Sequence, residues 1–275
     1  MAKKASFRYK GKIKGIIFDT VGVLVDCGCL HHNKAIANIF KMRNIELKES
    51  LIRNFNGLTL KDQLKKIVTD RRVLNDWKKI YGNKPNDEDL AMLLQDLINR
   101  IAASIPEKDY IIDSYKKKFN KLNNKGYKIA LTCEYPPALA SLIFDKLQKD
   151  GFKFSQSITI NDTMVGAPFP WMCYMSAIKL NVFPLNAIIR VGDSPYNIEE
   201  GINANMWTAG VVNTGNLIGL SKDEMRRKGV DKLHKKVKSA YKKFKKKGAH
   251  YVIDSINDIS WVIDDINSNL LKTKK

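Results

Sequence analysis

The sequence predicts an α/β protein: a parallel sheet covered by helices on both faces, with an all-helical segment inserted after the first strand. Three observations predict it. After Pro106, short apolar runs alternate with segments whose apolar residues recur every three or four positions. Between 30 and 104 only the helical spacing is present. Residues 14–19, "KGIIFD", form an apolar run that ends on a lone carboxylate, Asp19, before a glycine-containing loop. A chain of 275 residues has room for one large domain, or for a core plus a smaller insert.

Taken in order, 14–19 reads as a buried strand. "KAIANIFKMRNI", "TLKDQLKKIVT", "RRVLNDWKKIYG" and "DEDLAMLLQDLINRIAASI" read as the helices of the insert. "YIIDSYKKKFNKLNNKG" reads as a helix stopped by Gly126, and "YKIALTC" as the second strand. "PPALASLIFDKLQKDG", "WMCYMSAIKLNV" and "NIEEGINANM" are then helices, separated by the strands "FSQSITIND" and "AIIRVGDS". "WTAGVVN" and "AHYVIDS" complete the sheet. In such a sheet ligands bind at the carboxyl ends of the strands. Asp19, Cys133, Ala167 and Asp193 all fall at or just past those ends. The expected division is a core of residues 1–29 and 105–275 and a helical cap of residues 30–104.

Lys plus Arg number 48 against 28 Asp plus Glu, a net charge of +20, and only nine of the basic residues are arginine. Such a field attracts polyanions, although a lysine-rich composition spread along the chain produces the same sum. The stretch 232–247, "KLHKKVKSAYKKFKKK", has two readings. It is a basic amphipathic helix for an acidic membrane, nucleic acid or acidic protein, or an ordinary helix packing Leu233, Val237, Tyr241 and Phe244 on the sheet. Cys27, Cys29, Cys133 and Cys173 form no CxxC pair and fit reduced thiols of a cytoplasmic protein. The opening "MAKKASFRYKGKIKG" is basic without an apolar stretch of its own, and no window approaches a membrane span. His31 and His32 lie near the hinge to the insert and read as solvated linker residues or as lining of the cleft. The four tryptophans, Trp77, Trp171, Trp207 and Trp261, are too dispersed for a nucleobase-stacking platform.

The "FDTVG" loop, the "VGDS" strand end and "FPWMCYMSAIKLNV", with "GINANMWTAGV", "LIGLSKDEM" and "GAHYVID", resemble the haloacid dehalogenase (HAD) superfamily. Within it they resemble the phosphonoacetaldehyde hydrolase, or phosphonatase, family. The resemblance covers almost the whole chain. It implies a Rossmannoid core and a helical cap inserted after the first strand, with a homodimer formed through the cap. It also implies an aspartate nucleophile that attacks phosphorus, a Mg²⁺ ion, and a cap lysine that forms a Schiff base with the aldehyde.

Position by position, the resemblance holds at two polar residues and departs at four. Asp19 stands at the nucleophile and Asp193 at the metal-binding aspartate. Val21, two residues after Asp19, cannot be the acid of a phosphatase, but its carbonyl can serve Mg²⁺. The second acidic metal ligand is Asn197. The phosphoryl-binding threonine is Cys133, a weak donor, with Thr132 beside it on the opposite strand face. The glycine after that threonine is Glu134, which sets negative charge beside an anion site. The motif cation is Ala167, and nothing basic lies between Lys153 and Lys179. The Schiff-base lysine is Leu60, with Lys61 turned about 100° away on a helix.

The expectation is a phosphonatase-like protein with most catalytic positions replaced, acting as a non-catalytic binding or scaffold component. The alternatives are a Mg²⁺-dependent phosphohydrolase that uses Asp19 on a small phosphorylated substrate, and a basic polyanion-binding protein. Recruitment of another cation and hydroxyl to the places of Ala167 and Cys133 would favour the phosphohydrolase.

Overall fold

The computed structural model describes residues 9–107, 109–228 and 230–272. The six strands are β1 (Gly15–Asp19), β2 (Lys128–Cys133), β3 (Gln156–Thr159), β4 (Ile188–Gly192), β5 (Trp207–Val211) and β6 (Tyr251–Ile253). They form one wholly parallel sheet in the order β3-β2-β1-β4-β5-β6. The chain builds outward from β1 through β2 to β3, then returns to the other side of β1 with β4. The strand order therefore reverses between β1 and β4, which opens a crevice at their carboxyl ends.

Parallel strands need both faces covered, and alternate residues divide accordingly. Ile16, Phe18, Ile129, Leu131, Ile189 and Val191 join the main apolar cluster on one face. Ile17, Ala130 and Ile188 pack on the other, against α8 (Trp171–Leu180) and its flanking residues. Against the expectation that Cys133 takes the phosphoryl-binding place and Thr132 points away, Thr132 pairs with Asp19 in register and shares its face, while Cys133 joins the main cluster on the opposite one.

Five helices lie between β1 and β2: α1 (Leu30–Lys41), α2 (Glu49–Asn54), α3 (Leu60–Val68), α4 (Arg71–Tyr81) and α5 (Asp87–Ser104). α5 is the hub, packed on α1 and α3, with α2 against both α1 and α3. Its start is fixed by a capping box between Asn86 and Asp89, and Leu93, Leu97 and Ile101 supply its buried stripe.

Three expectations need correction. The segment expected as one helix from Tyr110 is extended at first: Ile111 bridges Val25, Asp26 N–H donates to Tyr110 O at 2.7 Å and Ile112 N–H to Leu24 O at 2.9 Å. Burial of Ile111 and Ile112 outweighs local helical preference, and α6 begins only at Lys116 and ends at Asn124. β3 is shorter than "FSQSITIND", because Thr159 and Asp162 form a capping box that turns the chain at Ile160. Three helices lie outside the sequence reading: α2 and the helix Lys222–Arg227, whose six residues each are too few for a visible period, and α12 (Ile259–Lys272), which buries Ile259, Val262, Ile263 and Ile266.

The remaining helices are α7 (Pro137–Lys149), α9 (Pro195–Asn203), α10 (Lys222–Arg227) and α11 (Val230–Lys246). α11 contains the lysine-rich stretch, and its apolar stripe is packed: Ala240 and Phe244 are buried against Ile198 and Val212. Gly210 of β5 makes room for Phe244, since a Cβ there would lie 2.7 Å from the ring. Gly210→Ala should therefore destabilise the protein by about 1–3 kcal/mol through overpacking, read as a lower urea midpoint at unchanged slope. An unchanged midpoint would contradict this seating of α11.

Candidate functional site

The crevice between β1 and β4 gathers three carboxylates. Asp19 is the last residue of β1, Asp193 follows the last residue of β4, and Glu134 follows the last residue of β2. All three are buried. Thr20 N–H donates to Asp19 Oδ1 at 2.8 Å, and the Thr20 hydroxyl donates to Thr132 O at 2.7 Å, tying the two strand ends together. Asp193 Oδ2 accepts from Asn216 N–H at 2.8 Å and from the Cys29 thiol at 3.3 Å. Gly22, at φ +78°, lets the loop after β1 pass against this group, because a Cβ there would run into the Asp193 carboxylate.

Crowding and burial set the electrostatics. Burial raises Asp19 well above the ordinary carboxylate range, with Glu134 and Asp193 adding to the rise and Arg190 opposing it. Glu134 is pushed up to about 7, by burial first, against the pull of Arg190, and its Oε1 has no hydrogen-bond partner. Asp193 is raised to about 6 by burial, against the Asn216 and Cys29 hydrogen bonds. Arg190, in the middle of β4, is fully buried, and its Nε donates to Glu200 Oε2 of α9 at 2.9 Å. One guanidinium thus serves Glu200 while its charge also reaches Asp19 and Glu134.

The helical insert reaches this crevice through a polar chain. Tyr135 Oη lies 2.7 Å from His32 Nδ1, and His32 Nε2 lies 2.8 Å from Gln63 Oε1. An amide oxygen only accepts, so His32 carries its proton on Nε2, and burial lowers its pKa to about 4. Gln63 donates to Asn56 Oδ1 at 2.6 Å, and Asn56 donates to Asn216 Oδ1 at 2.7 Å. Arg53 of α2 donates to Gly28 O at 2.9 Å and to Asn216 O at 3.0 Å, while Asn216 Nδ2 returns a bond to Arg53 O at 2.8 Å. His32 is therefore a buried member of the network, not a solvated linker residue.

The other residues singled out from the sequence are placed as follows. Asn197 Oδ1 accepts from Ser194 N–H at 3.1 Å and from the Ser194 hydroxyl at 2.8 Å, so its oxygen caps α9 and is not offered to a metal. Cys133 is buried among apolar groups, which push its thiol well up. The Thr132 hydroxyl donates to Phe18 O at 3.4 Å. Leu60 is the first residue of α3 and is buried in the main cluster, while Lys61 is exposed. Ala167 is buried, and Val21 is half-buried in the loop closed by its bridge to Val25.

Arg190, Glu200, Gln63, Asn216 and Arg53 were not singled out. One had a signal: an arginine inside the buried strand "AIIRVG" needs a partner. As oxygen donors, Asp19, Asp193 and the Val21 carbonyl suit Mg²⁺, whose charge would oppose the burial and the neighbouring carboxylates that raise Asp19. Among the described residues no third His, Cys, Asp or Glu side chain, Glu134 included, joins Asp19 and Asp193 in a ligand group within 4.8 Å. Among the described residues, the three-ligand group within 4.8 Å is His31, Glu107 and Asp109, at the base of α1.

Residues 16–211 match the model of the haloacid dehalogenase-like hydrolases. The chain is 30% identical to a phosphonoacetaldehyde hydrolase of Bacillus mycoides over 94% of its own length and 98% of the relative's. It is 29% identical to a phosphonoacetaldehyde hydrolase-like protein of Syntrophobacter fumaroxidans over 95% of each chain. The crystal structure of a phosphonoacetaldehyde hydrolase-like protein from Oleispira antarctica superposes with a TM-score of 0.91 at 29% identity, covering 100% of both chains.

The raised carboxylates have a consequence for stability. Glu134 titrates near 4.5 when unfolded and near 7 when folded, so its contribution is fully present below about pH 4.5 and is lost as pH rises through 7. E134Q removes that loss. The melting-temperature difference, E134Q minus wild type, should grow more positive from about pH 5 to about pH 8. A difference independent of pH would contradict a buried Glu134 carboxyl.

Proposed function

The chain belongs to the haloacid dehalogenase-like hydrolase family, and on that premise we propose that it is a phosphonatase-like protein that has kept the fold but does not turn over phosphorylated substrates, acting as a binding or scaffold component. The observation that carries this reading is the buried Glu134 carboxyl beside Asp19, where the family resemblance implies a glycine and an anion-binding pocket. A phosphoryl group entering there meets Asp19, Glu134 and Asp193, with a single guanidinium already bonded to Glu200.

The other replacements point the same way. Leu60 offers no amine for an imine, so no electron sink lets carbon leave phosphorus. Ala167 supplies no charge to a transferring group, and removing one such stabilising group typically costs about 10²- to 10³-fold in rate. Asn197 is spent on the α9 cap. The homodimer through the helical insert belongs to the same reading.

A second reading rests on what remains. Asp19 and Asp193 stand at adjacent strand ends, and the buried Arg190 brings a cation whose charge reaches Asp19 from β4 instead of from the Ala167 loop. Asp19, Asp193 and the Val21 carbonyl would hold Mg²⁺, which would supply charge to offset that of a phosphoester. Asp19 would attack phosphorus as the P–O bond to the alcohol breaks, and water would hydrolyse the aspartyl phosphate to release phosphate and restore Asp19. The two readings are separated by phosphate release from a panel of phosphoesters and phosphonates with Mg²⁺, comparing wild type with Asp19→Asn. The expected result is no release above background from either protein. Release by wild type that disappears in Asp19→Asn would overturn the non-catalytic reading in favour of the phosphohydrolase.

A further inference from the structure

Residues 232–247 carry the densest positive charge of this chain. Between 232 and 247 there are nine lysines and no acidic residue, within a chain whose net charge is +20. A bias spread evenly along the sequence would leave about one net positive charge on a stretch of that length. The structure places this stretch on α11 and the short turn after it.

Among the described residues, only Lys247 of these lysines has an acidic partner, Glu199 at 2.6 Å. Lys236 and Lys245 donate to the Ile218 and His250 carbonyls. Lys235, Lys238, Lys242 and Lys246 are exposed and spaced by three and four residues, so they form one row along the helix, about 16 Å long. Like charges at that spacing repel and weaken a helix. A row of this kind persists at a cost that a facing polyanion would remove.

The identity of the polyanion follows from what the face lacks. The apolar stripe of α11 is already packed, and among the described residues of the helix no large exposed apolar side chain is left to enter a bilayer. Protein interfaces are depleted in lysine and centre on buried aromatic or arginine anchors, and this row has neither. Lysines that act as point charges, with no aromatic ring to stack a base, suit a regular array of phosphates. We infer that the outer face of α11 binds the phosphodiester backbone of double-stranded nucleic acid without reading its base sequence.

Fluorescence anisotropy with labelled 24-base-pair DNA and RNA duplexes, from 50 to 200 mM salt, tests this on the full chain. Four lysine contacts predict a slope near −3.6 for log K against log salt on DNA, about a 100-fold loss of affinity across that range. K235Q/K238Q/K242Q/K246Q should bind at least about 30-fold more weakly at 50 mM salt, with the slope brought close to zero. K65Q/K66Q/K78Q/K79Q, which removes the same charge from exposed lysines of the helical insert, should bind like wild type. Circular dichroism checks that both variants fold. Binding to DNA, RNA or both supports the inference. It is overturned by the absence of salt-dependent binding to either duplex, by an equal loss in the insert variant, or by α11-dependent binding to phosphatidylserine vesicles alone.

Discussion

Everything at the carboxyl edge of the sheet depends on one buried guanidinium. Arg190 lies in the middle of β4, bonded to Glu200 of α9, with its charge reaching Asp19 and Glu134. Removing one partner of a buried ion pair leaves an uncompensated charge and typically costs about 3–5 kcal/mol. Arg190 therefore clamps α9 to the sheet and makes a cluster of carboxylates tolerable in the core. It does so incompletely, since Asp19, Glu134, Asp193 and Glu200 are all raised by burial. A site built this way favours protons or a cation over a phosphoryl group. On the proposed reading, Asp19 stands at the nucleophile's position without the charge environment that would bring it a phosphate.

The same edge is closed from above by hydrogen bonds. Asn216 donates its backbone N–H to Asp193, its side chain to Arg53 O, and accepts from both Asn56 and Arg53. The helical insert and Asp193 thus share one residue. Gly57 completes the approach, since a Cβ there would run into the Ser194 side chain. Polar networks in a low-dielectric interior stabilise when satisfied and are costly when broken. This network holds the insert against the crevice and fixes His32 as a neutral imidazole.

Most of the architecture was legible because it is written in periodicity. Strands such as "GIIFD" and "AIIRVG" announce themselves as short apolar runs, and α5 carries four turns of unbroken apolar spacing. What escaped was set by tertiary contact: Ile111 drawn into a bridge with Val25, and Thr159 turned by Asp162. At the site, Asp19 and Asp193 could be located because strand ends fix them. Which groups surround them depends on residues distant in sequence. Arg190 reaches the carboxylates from within a strand, His32 is buried by Tyr135 and Gln63, and Asn197 turns its oxygen back to Ser194. No local pattern encodes those choices.

On the proposed reading, Glu134 fills electrically the place where the family resemblance implies an anion pocket. This is tested most directly by calorimetric titration of tungstate, a phosphate analogue, into wild type and Glu134→Gly in the presence of Mg²⁺ at pH 8, where the carboxylate is ionised. The expected result is no saturable binding to wild type and millimolar or tighter binding to the variant. Equal saturable binding to both proteins would mean that Glu134 does not guard the site, and would contradict the electrostatic basis of a non-catalytic protein.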